Sequence, residues 1–191
     1  MMKRNNFPFS AVLGLNHAKT AILIVLVNPR AGGLLISGPR GIGKSTLMRS
    51  TQELIERPWR DIPVSVTEDR LFGTIDTEKA IYSGQKKLYP GIINEADQGV
   101  LYLDDANLLR EDLLDFILNI AEVGAYQLER DGLSLRCDTS FTVIAAINPE
   151  SGMLSGACLD QFGLFVNVDN IHDENTRVEI LKRTISFEKD C

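Results

Sequence analysis

The chain has 191 residues, 44% apolar and 24% charged, with mean hydropathy near zero and a formal net charge of −6. This is the make-up of a globular chain of one domain plus a fragment, long enough to bury a core. The excess of acid excludes a broad electrostatic surface for nucleic acid, although a local basic patch is compatible with it.

The opening MMKRNNFPFS is basic but has no long apolar segment behind it, so it does not read as a signal peptide. The most apolar run, AILIVLV at 21–27, is too short to span a bilayer, with Lys19 before it and Asn28 and Pro29 after it. A cytoplasmic location without a membrane span is expected. The three cysteines, Cys137, Cys158 and Cys191, are widely spaced, with no CxxC pair or histidine cluster nearby, and read as free thiols.

Beyond the N-terminal segment, strand-like and helix-like runs alternate. LLIS (34–37), VSV (64–66), VLYL (100–103), FTVIAAI (141–147) and LFVNV (164–168) are short runs rich in branched and aromatic residues, as expected of strands covered on both faces. A helical stripe of Leu47, Met48, Thr51, Leu54 and Ile55 is ended by Pro58. A second stripe joins Leu109, Leu113, Phe116, Ile117 and Ile120, with Arg110, Glu111, Asp112 and Asp115 around it. This alternation predicts a parallel sheet flanked by helices.

Two stretches break the rhythm. Residues 73–99 carry several glycines and a proline with weak helical periodicity, and are expected to project from the core. Residues 124–137 alternate through Tyr126 and Leu128 into Asp131-Gly132 and out through Leu133 and Leu135, the signature of an inserted hairpin. The tail from Glu174 reads as a helix that stops without a companion, as though the chain were cut short there.

Directly after the first strand comes GPRGIGKST, residues 38–46: Gly38, Pro39, Arg40, Gly41, Ile42, Gly43, Lys44, Ser45 and Thr46. Glycines let the backbone wrap close to phosphate oxygens, with amide N–H groups and a helix N-terminus facing the negative charge. Lys44 would reach the β and γ phosphates of ATP, and Ser45 would place its hydroxyl on Mg²⁺. A chance match in a Gly-rich turn is the competing reading, but the strand, loop and helix stand in the order the motif demands.

The companion feature is VLYLDD, an apolar strand ending in Asp104 and Asp105. With the loop present, Asp104 is the candidate Mg²⁺ ligand, direct or through water. Asp105 is the candidate to orient the attacking water. Helix capping by Asp105 or Asn107 is a second job compatible with the first. The position of Asp105 suits glutamate, which is longer by about 1.5 Å. Misplacement on the order of 1 Å costs roughly a hundredfold in rate, so slow hydrolysis is expected. Asn148, after the strand FTVIAAI, has two readings: a polar group that helps hold the water or senses the γ phosphate, and a turn former before Pro149.

These residues resemble the AAA+ ATPase subunit of magnesium chelatase, the complex that inserts Mg²⁺ into protoporphyrin IX at the start of chlorophyll synthesis. The likeness runs through residues 7–23, the phosphate loop at 32–46, YPGIINEADQGVLYLDDANLL at 89–109, the hairpin at 124–136 and AAINPESGML at 145–154. It implies a P-loop NTPase fold, α/β, with an AAA+ core over residues 1–170 and the start of a truncated helical lid over 171–191. Also implied are ATP and Mg²⁺ held by Lys44, Ser45 and Asp104, Asp105 in place of the catalytic glutamate, Asn148 as sensor, and residues 12–15 near the adenine. The family forms rings, usually hexamers, that act on a partner subunit and a large porphyrin-binding subunit.

Departures from the family pattern accompany the likeness. Asp160-Gln161-Phe162-Gly163-Leu164 stands where the family has an Asp-Arg pair, so the arginine that reaches into the neighbouring subunit is a neutral amide here. Such arginines contribute about 10³ to 10⁵ in rate in other phosphoryl-transfer systems. With Asp105, and with the lid's second sensor arginine expected beyond the chain's end, the likeness carries nucleotide binding further than fast hydrolysis. Three functions are compatible: a chelatase motor subunit, a MoxR-type ATPase that matures a metalloprotein, and a nucleotide-binding scaffold with weak or no turnover.

Overall fold

The computed structural model describes residues 6–75, 88–130 and 133–189. Its centre is a five-stranded sheet of β1 (Leu34–Ser37), β2 (Trp59–Ile62), β5 (Val100–Leu103), β8 (Thr142–Ile147) and β9 (Leu164–Asn167), in the order β2-β5-β8-β1-β9. Every pairing in it is parallel. This is the parallel sheet flanked by helices that the alternation predicts.

The three inner strands are buried at every residue, which is why they read as unbroken apolar runs. Alternate side chains divide between two cores. Leu35, Leu101, Leu103, Val143, Ala145 and Ile147 face one side, where they meet Leu113, Leu114, Ile117 and Ile120 of a helix over Glu111–Val123. Leu34, Ile36, Val100, Tyr102, Ile144 and Ala146 face the other, against helix α1 (Asn16–Val27) and helix α2 (Lys44–Thr51). Full burial of one such side chain contributes about 1.5–3 kcal/mol, so both faces of the sheet are committed to their helices. Short helices α3 (Glu68–Phe72) and α4 (Ile92–Glu95) join the first core, and with them the Glu111–Val123 helix is α5 and Gly156–Asp160 is α6.

Several local expectations shift. The second strand is Trp59–Ile62 rather than 64–66: as the sheet's edge it exposes Arg60 and Asp61, so its pattern is not that of a buried run, and Pro63 ends it. The first helical stripe is an α-helix only to Thr51, continues as a 3-10 turn over Gln52–Leu54, and leaves Leu54 exposed. In α5 the buried stripe takes in Leu114 and Leu118, while Phe116 is 59% exposed and meets the Phe72 ring edge-on at 5.9 Å.

The inserted hairpin is present as the antiparallel pair β6 (Ala125–Arg130) and β7 (Leu133–Asp138), separate from the central sheet. Its Asp131-Gly132 turn lies outside the described residues. Within 73–99, β3 (Gly73–Ile75) and β4 (Leu88–Pro90) form a second separate pair. The stretch that follows does not project, because Ile92 and Ile93 are buried in the first core. The tail is helix α7 (Glu174–Lys189), none of whose residues is buried. Among the described residues no helix is long and apolar enough to cross a membrane.

Candidate functional site

The site forms where the inner strands end. β1 and β5 are not neighbours, since β8 lies between them, so the loop after β1 and the acids after β5 meet across the carboxyl end of β8. The loop is tied there by its first residue: Gly38 N–H donates to the Ile147 carbonyl at 3.2 Å. A Cβ on Gly38 would stand 2.5 Å from the Val168 carbonyl oxygen, so no larger residue fits between β1 and the end of β9. Gly43, at the N-cap of α2, has φ +92°, a conformation open to glycine at little cost.

Lys44 is 8% exposed. Its ammonium donates to the carbonyls of Gly38 at 2.6 Å and Pro39 at 2.8 Å, so the loop closes on its own lysine. Burial holds this ammonium below the ordinary lysine range; Asp105 and Asp104 oppose the shift and Arg40 adds to it. A charge kept dry and held only by carbonyls gains strongly from an anionic partner.

Ser45 Oγ donates to Asp104 Oδ2 at 2.9 Å. The other oxygen of that carboxylate, Oδ1, accepts from the Tyr102 hydroxyl at 2.9 Å. Burial, then the charge of Asp104, push the Tyr102 hydroxyl far above the usual phenol range, so it is a permanent donor at physiological pH. Tyr102 escapes notice in the sequence because it sits in an apolar strand. The signal is its position two residues before Asp104, on the same face of the strand.

Asp105 takes a left-handed backbone, φ 50° and ψ 48°, and stands at the N-cap of a 3-10 turn over Ala106–Leu108 without a capping bond from its side chain. Asn107 does not cap either. Its amide Nδ2 donates to the carbonyls of Asn148 at 3.1 Å and Gly152 at 3.0 Å, which joins the acidic turn to the loop after β8.

Loop and acids enclose a polar cleft of about 460 Å³ lined by Arg40, Gly41, Gly43, Lys44, Ser45, Thr46, Asp104 and Asp105. Beside it, sharing Gly41, Gly43 and Thr46, is a larger cleft of about 820 Å³ bounded by Val12, Leu13, Leu15, Ile42, Ile171 and α7. A polar compartment joined to a more apolar one has the chemistry that a polyphosphate joined to a base would need. Among the described residues no group of three or more His, Cys, Asp and Glu could hold a metal. One carboxylate and one hydroxyl are nevertheless the hard oxygen donors with which Mg²⁺ is held beside substrate phosphates.

The other sequence-based candidates lie apart from that lining. Asn148 is 2% exposed. Its Oδ1 accepts from Glu150 N–H at 3.2 Å and its Nδ2 reaches Ser151 Oγ at 3.2 Å, the bonds of a turn former. It follows Ile147, whose carbonyl ties down Gly38, and so stands at the same sheet edge. Gln161, at the end of α6, lines a separate shallow depression with Asp115, Phe116, Asn119 and Glu122. Cys137 and Cys158 are free and buried, and the Cys158 thiol donates to Asp115 at 2.9 Å.

The model of the AAA domain (dynein-related subfamily) matches residues 33–161. The magnesium-chelatase 38 kDa subunit of Cereibacter sphaeroides is 36% identical, over 96% of this chain and 65% of that protein. The magnesium-chelatase subunit ChlI of Cyanophora paradoxa is 33% identical, over 98% and 67%. A solved structure of the complex between subunits BchI and BchD of magnesium chelatase superposes with a TM-score of 0.81 at 36% identity, covering 96% of this chain and 68% of that one. The chain thus spans about two thirds of the length of these relatives.

Proposed function

Because the chain belongs to the AAA-domain family, in its magnesium-chelatase subunit branch, we propose that it binds ATP with Mg²⁺ and serves as an AAA+ subunit of a magnesium-chelatase-like complex. The observation that carries this reading is the joined pair Ser45–Asp104, set beside a buried Lys44 at the mouth of the phosphate loop. In this reading Lys44 gives up carbonyl partners for phosphate oxygens, and the loop's N–H groups and the start of α2 supply further donors. Ser45 and Asp104 hold the ion. Bound Mg·ATP supplies an electrophilic phosphorus, neutralised by the metal, and the free energy of its hydrolysis.

Asp105 holds the attacking water; Asn148 is the family's sensor by likeness, and to reach that water its amide would have to exchange the turn bonds it makes to Glu150 and Ser151. By family likeness, Gln161 replaces an arginine that would reach a neighbour's site. The resident ion is distinct from the Mg²⁺ inserted into protoporphyrin IX, which is cargo of the whole complex. The ring, hexameric by family likeness, and the partner subunits are further parts of the proposal, supported by the BchI–BchD structure that this chain resembles.

A second reading, a nucleotide-binding ring subunit with little turnover, is favoured by the neutral Gln161 and the short Asp105. One experiment addresses both: titration of the chain with a fluorescent ATP analogue, with and without Mg²⁺, followed by turnover measured on the same preparation. Tight Mg²⁺-dependent binding supports the site. Folded protein with no affinity for nucleotide overturns it.

A further inference from the structure

Asp104 is held from two directions. Ser45 Oγ donates to one carboxylate oxygen and the Tyr102 hydroxyl to the other, each at 2.9 Å. The tyrosine has little freedom of its own: it is 4% exposed and packed in the apolar layer with Ile144, Leu47 and Met48. Its ring lies 6.0 Å from that of Trp59, tilted by 40°, on the adjoining edge strand. Trp59 is fixed in turn, its indole N–H donating to Asp61 Oδ1 at 2.7 Å.

We propose that Tyr102 is a positioning residue for metal-dependent nucleotide binding, acting through Asp104. This rests on the reading of the loop as a Mg·nucleotide site. A lone aspartate at a strand end has rotamer freedom that it must lose when it engages an ion. Here that ordering is done in advance, by a phenol locked between two strands. Each carboxylate oxygen accepts one bond and keeps further acceptor capacity, so the group is oriented without being saturated. The effect is that of the partners that orient ligands in established metal sites, where their loss weakens affinity although they never touch the metal. A tyrosine that merely fills the core would need only some acceptor for its hydroxyl; the proposal requires that its effect pass through the charge of Asp104.

The test uses the full chain and a fluorescent ATP analogue titrated at a range of Mg²⁺ concentrations and in EDTA. Tyr102→Phe keeps the ring and its packing. The Mg²⁺ needed for half-maximal tight binding should rise roughly tenfold, the worth of one bond to a charged acceptor, while affinity in EDTA stays at the wild-type value. In an Asp104→Asn background the same change should add less than about twofold, since the charge through which the tyrosine acts is already lost. Tyr102→Leu, which also removes the ring, should raise the Mg²⁺ requirement at least as much.

An unchanged Mg²⁺ requirement in Tyr102→Phe, an equal loss in EDTA, or full additivity with Asp104→Asn would each overturn the proposal. If wild type binds Mg·ATP and Lys44→Ala does not, yet Tyr102→Phe matches wild type, this inference falls and the site stands. If folded wild type binds no nucleotide, both fall.

Discussion

Ser45 and Asp104 are separated by 59 positions in the chain, and their side chains meet at 2.9 Å. The bond connects the loop after β1 to the acid after β5 over the end of the intervening β8. A hydroxyl and a carboxylate brought together by three strands rather than by local sequence form a junction that responds to the state of the whole sheet edge.

Lys44 supplies the buried cation of the polar cleft, which Arg40 also lines. Lys44→Ala should weaken Mg·ATP by at least about tenfold, from the loss of charge-assisted bonds alone. Thermal stability should hardly fall, because the ammonium is dry and satisfied only by carbonyls. Fluorescence titration and calorimetry on one preparation check both halves.

Gly38 has no room for a side chain. Gly38→Ala would set a methyl 2.5 Å from the Val168 carbonyl oxygen and 2.7 Å from Ile42 Cδ1. Overpacking of this kind costs about 1–3 kcal/mol, which in a chain of this length lowers the melting temperature by roughly 2–4 °C per kcal/mol. Because the loop must shift, nucleotide affinity should fall with stability.

Turnover should be slow. The rate per subunit is expected to lie well under the enzyme median of about 10 per second. Asp105→Glu together with Gln161→Arg should raise it once subunits assemble, as measured by phosphate release against protein concentration. No gain in an assembled ring would favour the scaffold reading.

Asp173, just before α7, accepts from Thr176 N–H at 2.7 Å and from the Thr176 hydroxyl at 2.5 Å. These bonds hold its carboxyl below the ordinary value of 3.8. A depressed carboxylate pKa adds stability above the unfolded value and loses it as pH falls through the folded one. The start of α7 should therefore loosen below about pH 3.8, the ordinary carboxyl value. NMR titration of Asp173 should give a midpoint under that value, and Asp173→Ala should abolish the pH dependence of amide protection at Thr176.

Tyr126 secures the hairpin. Its hydroxyl lies 2.8 Å from the Phe72 carbonyl and 2.6 Å from Asn94 Oδ1, bridging β6 to the segments on either side of β3 and β4. Tyr126→Phe should cost about 1–2 kcal/mol and increase amide exchange along Ala125–Arg130 before the rest of the fold.

What could be read from the chain follows from what burial does to sequence. Leu34–Ser37, Val100–Leu103 and Thr142–Ile147 are covered on both faces, so their apolar runs announce themselves. Gly38 to Thr46 is legible because the loop's geometry constrains composition at fixed spacing. Trp59–Ile62 is not: an edge strand half in water carries Arg60 and Asp61, and its partner is chosen by the sheet. Phe116 fits the helical period, yet it lies at the flank of α5 against Phe72, a contact set by tertiary packing. At the site, the type of Asp104 was readable but the grip of Tyr102 on it was not, since hydrogen-bond partners depend on where side chains end in space.

The two compartments of the cleft are fastened to parts of very different tenacity. Gly38 is bonded to the end of β8, an inner strand with no exposed residue. Helix α7, along the apolar side, has no fully buried residue and is moored by Arg183 on the Ala11 carbonyl and by an edge contact of Phe187 with Phe7. Hydrogen exchange should find α7 detaching in excursions that leave the strands closed. If nucleotide sits as proposed, its nucleoside end would meet a door on a weak latch and its phosphate end a fixed wall, so the lifetime of the complex would be governed by how often that outer helix lifts.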